Sequence, residues 1–136
     1  MNENQIKEKL ENAIKNLFQN QQDIFDYTPE TGITEWNLAH HLAFEIQKEF
    51  PEYQHDIELT KHSIRNRRPD IILHKRGTHN NNFLVIEIKR HRNTIDDREK
   101  IISSWFINPY NYTFGATILI KNKNNYLVDV FKNMKM

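Results

Sequence analysis

Residues 68–89 read RPDIILHKRGTHNNNFLVIEIK, two apolar runs separated by a stretch rich in turn formers. Asp70–Lys75 and Phe83–Lys89 have the length and β-branched content of strands, and RGTHNNN between them suits the turn of a hairpin. In the second run, period-2 alternation puts Leu84, Ile86 and Ile88 on one face and Val85, Glu87 and Lys89 on the other. A core strand that carries a carboxylate and an amine side by side on one face is the feature from which the rest is read.

Downstream, Thr94–Phe106 is expected to be a helix, opened by a Thr cap with Asp96 and Asp97 in its first turn. Two strands follow, Phe114–Lys121 and Tyr126–Phe131, joined by the polar turn Asn122–Asn125. Upstream, Ile6, Leu10, Ala13, Ile14, Leu17 and Phe18 recur at helical spacing over residues 4–20. Residues 21–33 connect, with Pro29 and Gly32 as breakers. A second helix is expected from Thr34 to Phe50, stopped by Pro51, and a strand over His55–Lys61. The order α-α-β-β-β-α-β-β predicts an α/β (α+β) fold with a central mixed sheet of four to five strands flanked by helices. One domain over residues 1–136 is expected, with a core at 34–131 and an N-terminal helix at 4–20.

Composition narrows the function classes. The 136 residues contain no cysteine, which excludes disulfides and cysteine-ligated metal centres. No apolar run approaches the roughly 20 residues that span a membrane, and the N-terminus lacks the apolar core of a signal peptide. The expectation is a cytoplasmic protein with no membrane partner. Net charge is +1, but residues 1–60 hold 4 Lys+Arg against 12 Asp+Glu and residues 61–136 hold 15 against 6. A basic C-terminal half points toward an anionic partner such as nucleic acid.

Asp70 opens the strand before Glu87, so the two carboxylates converge if those strands pair. Paired carboxylates form a hard, all-oxygen site of the kind Mg²⁺ (or Mn²⁺) prefers, with water and substrate phosphate completing the shell. Lys89 beside such a site could orient the attacking water or stabilise developing charge. General-base action would need its pKa lowered from the ordinary ~10.4. The chemistry that suits this set is phosphodiester hydrolysis.

Pro69-Asp70, followed 17 positions later by Glu87-Ile88-Lys89, resembles the PD-(D/E)XK nuclease superfamily, the restriction-endonuclease-like fold. More closely, RPDIILHKRG…NNFLVIEIKR resembles small uncharacterised bacterial proteins of this type, over roughly residues 34–121. The resemblance implies that Asp70 and Glu87 bind Mg²⁺, that the Ile88 carbonyl helps, and that Lys89 assists the water. It also implies a further acid on the upstream helix, for which Glu35, Glu45 and Glu49 are available. At about 100° per residue, Trp36, Ala39, Leu42, Ala43, Ile46 and Phe50 form one apolar arc. Glu35 falls inside it, Glu49 at its edge and Glu45 further out. A carboxylate on a buried arc needs a partner, which favours Glu35, with Glu45 or Glu58 next.

Arg65, Arg67 and Arg68 precede Asp70, and Arg90, His91 and Arg92 follow Lys89. These arginines are expected to contact phosphates on either side of the scissile bond. His40 and His41 are adjacent on a helix and cannot share a metal in the i, i+4 manner. His74 shares a face with Asp70 and is expected to pack rather than ligate. Three readings stand: a Mg²⁺-dependent nuclease acting on DNA, which would cut both strands only as a homodimer; a non-catalytic nucleic-acid-binding module; and an interaction subunit.

Overall fold

The computed structural model describes residues 1–24, 35–57, 69–90 and 95–135, with Glu35 and Trp36 described as backbone only. Helix α1 is Glu3–Asn20. It opens on a reciprocal cap in which the Asn2 side chain accepts from the Gln5 N–H while the Gln5 side chain accepts from the Asn2 N–H, satisfying two otherwise orphaned donors. Helix α2 is Glu35–Glu49, stopped before Pro51 as the sequence requires. The strands are β1 (Gln54–Ile57), β2 (Ile71–His74), β3 (Leu84–Lys89), β4 (Phe114–Asn122) and β5 (Asn125–Lys132), and helix α3 (Ile95–Ser104) lies between β3 and β4.

The five strands lie in sequence order across one sheet. β1, β2 and β3 form an antiparallel meander. β3 and β4 pair in parallel, which requires a crossover, and α3 provides it. β5 returns antiparallel to β4. This is the mixed, helix-flanked α+β architecture and element order that the residue patterns imply. The first strand is described only over Gln54–Ile57, and residues 58–61 of its expected span, Glu58 among them, lie outside the described residues. The third helix stops at Ser104 rather than Phe106. Trp105 and Phe106 instead cap it, their N–H groups both donating to the Ile101 carbonyl. Among the described residues no helix is long and apolar enough to cross a membrane.

Strand alternation divides the core in two. Ile71, Leu73, Leu84, Ile86, Ile88, Ala116, Ile118 and Ile120 pack with the apolar stripes of α1 and α2. Ile72, Val85 and Phe131 pack on the other face with Ile101, Trp105, Phe106 and Tyr112. Glu87 and Lys89 share parity with Val85 and so belong to the α3 face. Gly115 lets α3 sit close to the sheet there. A Cβ at that position would lie 2.7 Å from Phe131 Cε2 and 2.8 Å from Ile101 Cγ2.

Gly115→Ala should therefore overpack the α3 face and cost about 1–3 kcal/mol, lowering the thermal midpoint by several degrees. An unchanged midpoint in a melting experiment would show that α3 does not bear on β4 this tightly.

Candidate active site

The site forms where β2 begins and β3 ends. The β2–β3 register runs Leu73↔Leu84, Ile72↔Val85, Ile71↔Ile86, and continued by one position it sets Asp70 opposite Glu87. β3 extends beyond this pairing, which would leave the Ile88 N–H without a strand partner. Asp70 takes that place: its Oδ2 accepts from the Ile88 N–H at 2.7 Å, satisfying a backbone donor that burial would otherwise make costly. In an extended strand the N–H and C=O of one residue point to the same side, so the Ile88 carbonyl faces the gap that Asp70 enters.

Glu87 is buried, with 1% of its surface exposed, on a face otherwise built from Val85, Ile72 and α3. Its pKa is pushed well above the ordinary carboxylate range, first by burial and then by the adjacent Asp70 carboxylate, with Lys100 acting in the opposite sense. Asp70 is also raised, by burial, against the Ile88 N–H, Glu87, Lys100 and Lys89, which all favour its charged form. Two neighbouring carboxylates in low dielectric cannot both ionise without a cation.

Helix α3 supplies two residues that strand patterning did not single out. Lys100 Nζ stands 3.3 Å from Glu87 Oε1, an ion pair that falls short of hydrogen-bond geometry. Asp97 is buried and lies 3.9 Å from Lys89 Nζ. Asp97, Lys100, Ile101 and Ser104 follow the i, i+3, i+4, i+7 rule for one helix face. Ile101 marks that face as the buried one, and its polar members were legible by that spacing. Thr117 is the third addition: it pairs with Glu87 across β3–β4, is buried, and its hydroxyl has no hydrogen-bond partner among the described residues.

Of the other expected residues, some are placed elsewhere and the rest lie outside the described residues. α2 packs on the opposite face of the sheet from Glu87 and Lys89, so the apolar-arc argument does not carry Glu35 to the site, and its side chain lies outside the described residues. Glu45, the fallback, is buried for another reason. α1 covers that flank of α2, and the carboxylate is held by Asn20 Nδ2 at 3.1 Å and Lys48 Nζ at 2.9 Å. Glu49 is partly buried beside α1, its carbonyl accepting from Lys9 Nζ. His74 lies about 13 Å along β2 from Asp70, at ~3.3 Å per residue, and its Nε2 is 2.6 Å from Asp56 Oδ2. His40 is exposed and meets His41 edge to face at 5.2 Å. Arg90 donates to the Lys121 carbonyl at 3.2 Å, which ties it to the end of β4. Arg65, Arg67, Arg68 and Arg92 lie outside the described residues.

Among the described residues no group of three or more His, Cys, Asp or Glu side chains is placed to hold a metal. The site offers two carboxylates and one carbonyl, all hard oxygen donors. That number suits Mg²⁺ or Mn²⁺, which keep several waters, and does not suit zinc.

Because folding raises the Glu87 pKa, the native state binds its proton more tightly than the unfolded chain. The associated stability is complete below the ordinary carboxylate value of ~4.3 and is lost as pH rises through the native value. Glu87→Gln should thus match wild type near pH 4 and become more stable than it toward pH 8 without added metal. Thermal melts across that range would refute this if the two proteins stayed parallel. No family model, curated protein or solved structure matches the chain, so the geometry alone carries the functional reading.

Proposed function

We propose that this protein is a metal-dependent nuclease that hydrolyses phosphodiester bonds, in DNA before RNA. The reading is supported chiefly by the opposition of Asp70 to a buried Glu87 whose Oε1 has no hydrogen-bond partner among the described residues. Perturbed carboxylate pairs of this kind mark functional sites more often than structural ones. The resemblance of Pro69-Asp70 and Glu87-Ile88-Lys89 to the PD-(D/E)XK pattern points the same way, as does an element order in which a β-meander feeds a helical crossover.

In this reading Asp70, Glu87 and the Ile88 carbonyl hold Mg²⁺ or Mn²⁺. When bound, such an ion supplies Lewis-acid activation of water and neutralises charge on the attacked phosphate. The chain's own groups do the remaining work. The Ile88 N–H fixes the rotamer of Asp70, so that one carboxylate oxygen stays directed toward Glu87. Val85, Ile72 and the α3 face exclude bulk water from Glu87, which strengthens every charge interaction at the site. Lys89, at the rim of the same face, orients the attacking water and offsets charge that develops on the phosphoryl oxygens. Lys100 adds a second ammonium on the α3 side.

Incubated with duplex or single-stranded DNA and Mn²⁺ or Mg²⁺, the protein should cleave, and EDTA should abolish the activity. Asp70→Asn and Glu87→Gln should each lower the rate by about a hundredfold or more while keeping the native circular dichroism spectrum. Cleavage at wild-type rate in either folded variant would end the proposal. DNA binding without cleavage would move the protein to a non-catalytic nucleic-acid-binding role.

Binding should rest on phosphate contacts, since the chain has no helix-turn-helix or zinc-finger pattern for reading bases. The log–log dependence of affinity on salt should approach ~0.9 per phosphate neutralised. Replacing Arg67 and Arg68 with glutamine should flatten it by about one unit each. A fluorescence-anisotropy titration in Ca²⁺ measures this. An unchanged slope in the double variant would remove both arginines from the interface.

A further inference from the structure

The acids and lysines of the site are paired crosswise. The strand lysine, Lys89, reaches the helix acid Asp97 at 3.9 Å, and the helix lysine, Lys100, reaches the strand acid Glu87 at 3.3 Å. The two cations differ in what they can do next. Lys100 retains a quarter of its side-chain surface in solvent, whereas Glu87 is 1% exposed. Glu87 cannot leave the interior to find a counter-ion. Lys100, on four rotatable methylenes, can withdraw toward water at little cost. The contact itself is loose: Lys100 Nζ is within ion-pair distance of Glu87 Oε1, yet that oxygen receives no formed hydrogen bond. The Thr117 hydroxyl, alongside on β4, is also buried without a hydrogen-bond partner among the described residues. A buried carboxylate oxygen whose nearest cation is a retractable ammonium, beside a buried hydroxyl, is arranged for a different occupant.

We propose that Lys100 is the resident cation of the carboxylate pair, a tethered ammonium that neutralises Glu87 in the metal-free protein and yields its place to the divalent ion. This rests on the metal-dependent reading above and extends it from the ligands to the group they exchange. In the metal-free state the Lys100–Glu87 pair makes the burial of Glu87 tolerable and ties α3 to β3. On loading, the divalent charge replaces the ammonium, and Lys100 moves to the mouth of the site. Lys89 lies 3.9 Å from Asp97 and acts on Asp70 rather than on Glu87, so it takes no part in the exchange.

The exchange fixes a thermodynamic cycle. If Lys100 contributes only to the metal-free state, its loss lowers metal-free stability and raises metal affinity by the same factor. Lys100→Met should therefore lower the thermal midpoint of the metal-free protein by a few degrees. It should bind Mn²⁺ about fivefold more tightly than wild type in calorimetric titration, the scale of a partly exposed ion pair. With saturating Mn²⁺ the two midpoints should coincide. Lys100→Arg, which keeps the charge, should leave Mn²⁺ affinity near that of wild type, and Lys89→Met should shift it less than Lys100→Met. In wild type carrying ¹⁵N-labelled lysine, the Lys100 ammonium resonance should move on adding Mg²⁺.

Mn²⁺ affinity in Lys100→Met equal to or weaker than wild type would overturn the exchange, as would a Lys100 resonance indifferent to Mg²⁺. In either case, binding that Glu87→Gln abolishes would leave the metal site itself standing. Absence of any Mn²⁺ binding by wild type would instead overturn both the exchange and the metal-dependent reading on which it rests.

Discussion

A single hydrogen bond organises the functional end of this sheet. The Asp70 carboxylate accepts from the Ile88 N–H at the point where β3 outruns β2, and so does the work of a strand residue at a place where the strand has not begun. That bond pins the start of β2 to the end of β3 and orients Asp70 toward its cross-strand neighbour Glu87. It also leaves the Ile88 carbonyl facing the same gap. Remove it, and the two carboxylates lose the register that brings them together. A backbone donor would then be left bare in an apolar setting, at a penalty of about 1–3 kcal/mol.

The remaining architecture can be understood as protection of that junction. α1 and α2 cover one face of the sheet with a continuous aliphatic core, which makes β3 and β4 rigid without reference to the site. The other face is served by α3 alone, and α3 is divided along its length. Its C-terminal half, Ile101 with Trp105 and Phe106 beyond it, anchors into the second apolar cluster. Its N-terminal half carries Asp97, Arg98 and Lys100, which meet Lys89, Asp129 and Glu87 respectively. The apolar end fixes the helix, and the polar end delivers charge to the strand ends where charge is needed.

What the sequence made legible follows from this division. The β-strand period of two identified which face of β3 carries Glu87 and Lys89, because each neighbouring residue on the other face is aliphatic and buried. The hairpin was readable from its turn formers, but its register, Leu73 opposite Leu84, was not. The apolar arc of α2 was likewise readable, and Ala39, Leu42, Ala43, Ile46 and Phe50 are all buried. The arc could not say which face of the sheet α2 would cover, and the Glu35 side chain itself lies outside the described residues. Glu45 illustrates the same limit. A second helix packed on its flank buries it, and no periodicity within one helix reports on a neighbour. Thr117 was missed for a related reason: it is an ordinary residue on its own strand and acquires meaning only from the β3–β4 register. Lys100 lay on the buried face that helical spacing of α3 defines, but only the placement of α3 sets it beside Glu87.

The electrostatics of the site show why so polar a cluster can survive in a fold of this size. Asp70, Glu87 and Asp97 bring three acids, and Lys89 and Lys100 bring two amines. Among the described residues of the cluster the acids outnumber the amines, and burial and Asp70 both press Glu87 toward its neutral form. A structural ion-pair network under selection for stability alone would close that deficit, or replace the charges by aliphatic residues of similar volume. Natural sites that keep such a deficit give up stability where activity requires it. Among the described residues, Glu87 thus lies buried beside a second carboxylate and the Thr117 hydroxyl, a polar arrangement that selection for apolar packing alone would not keep.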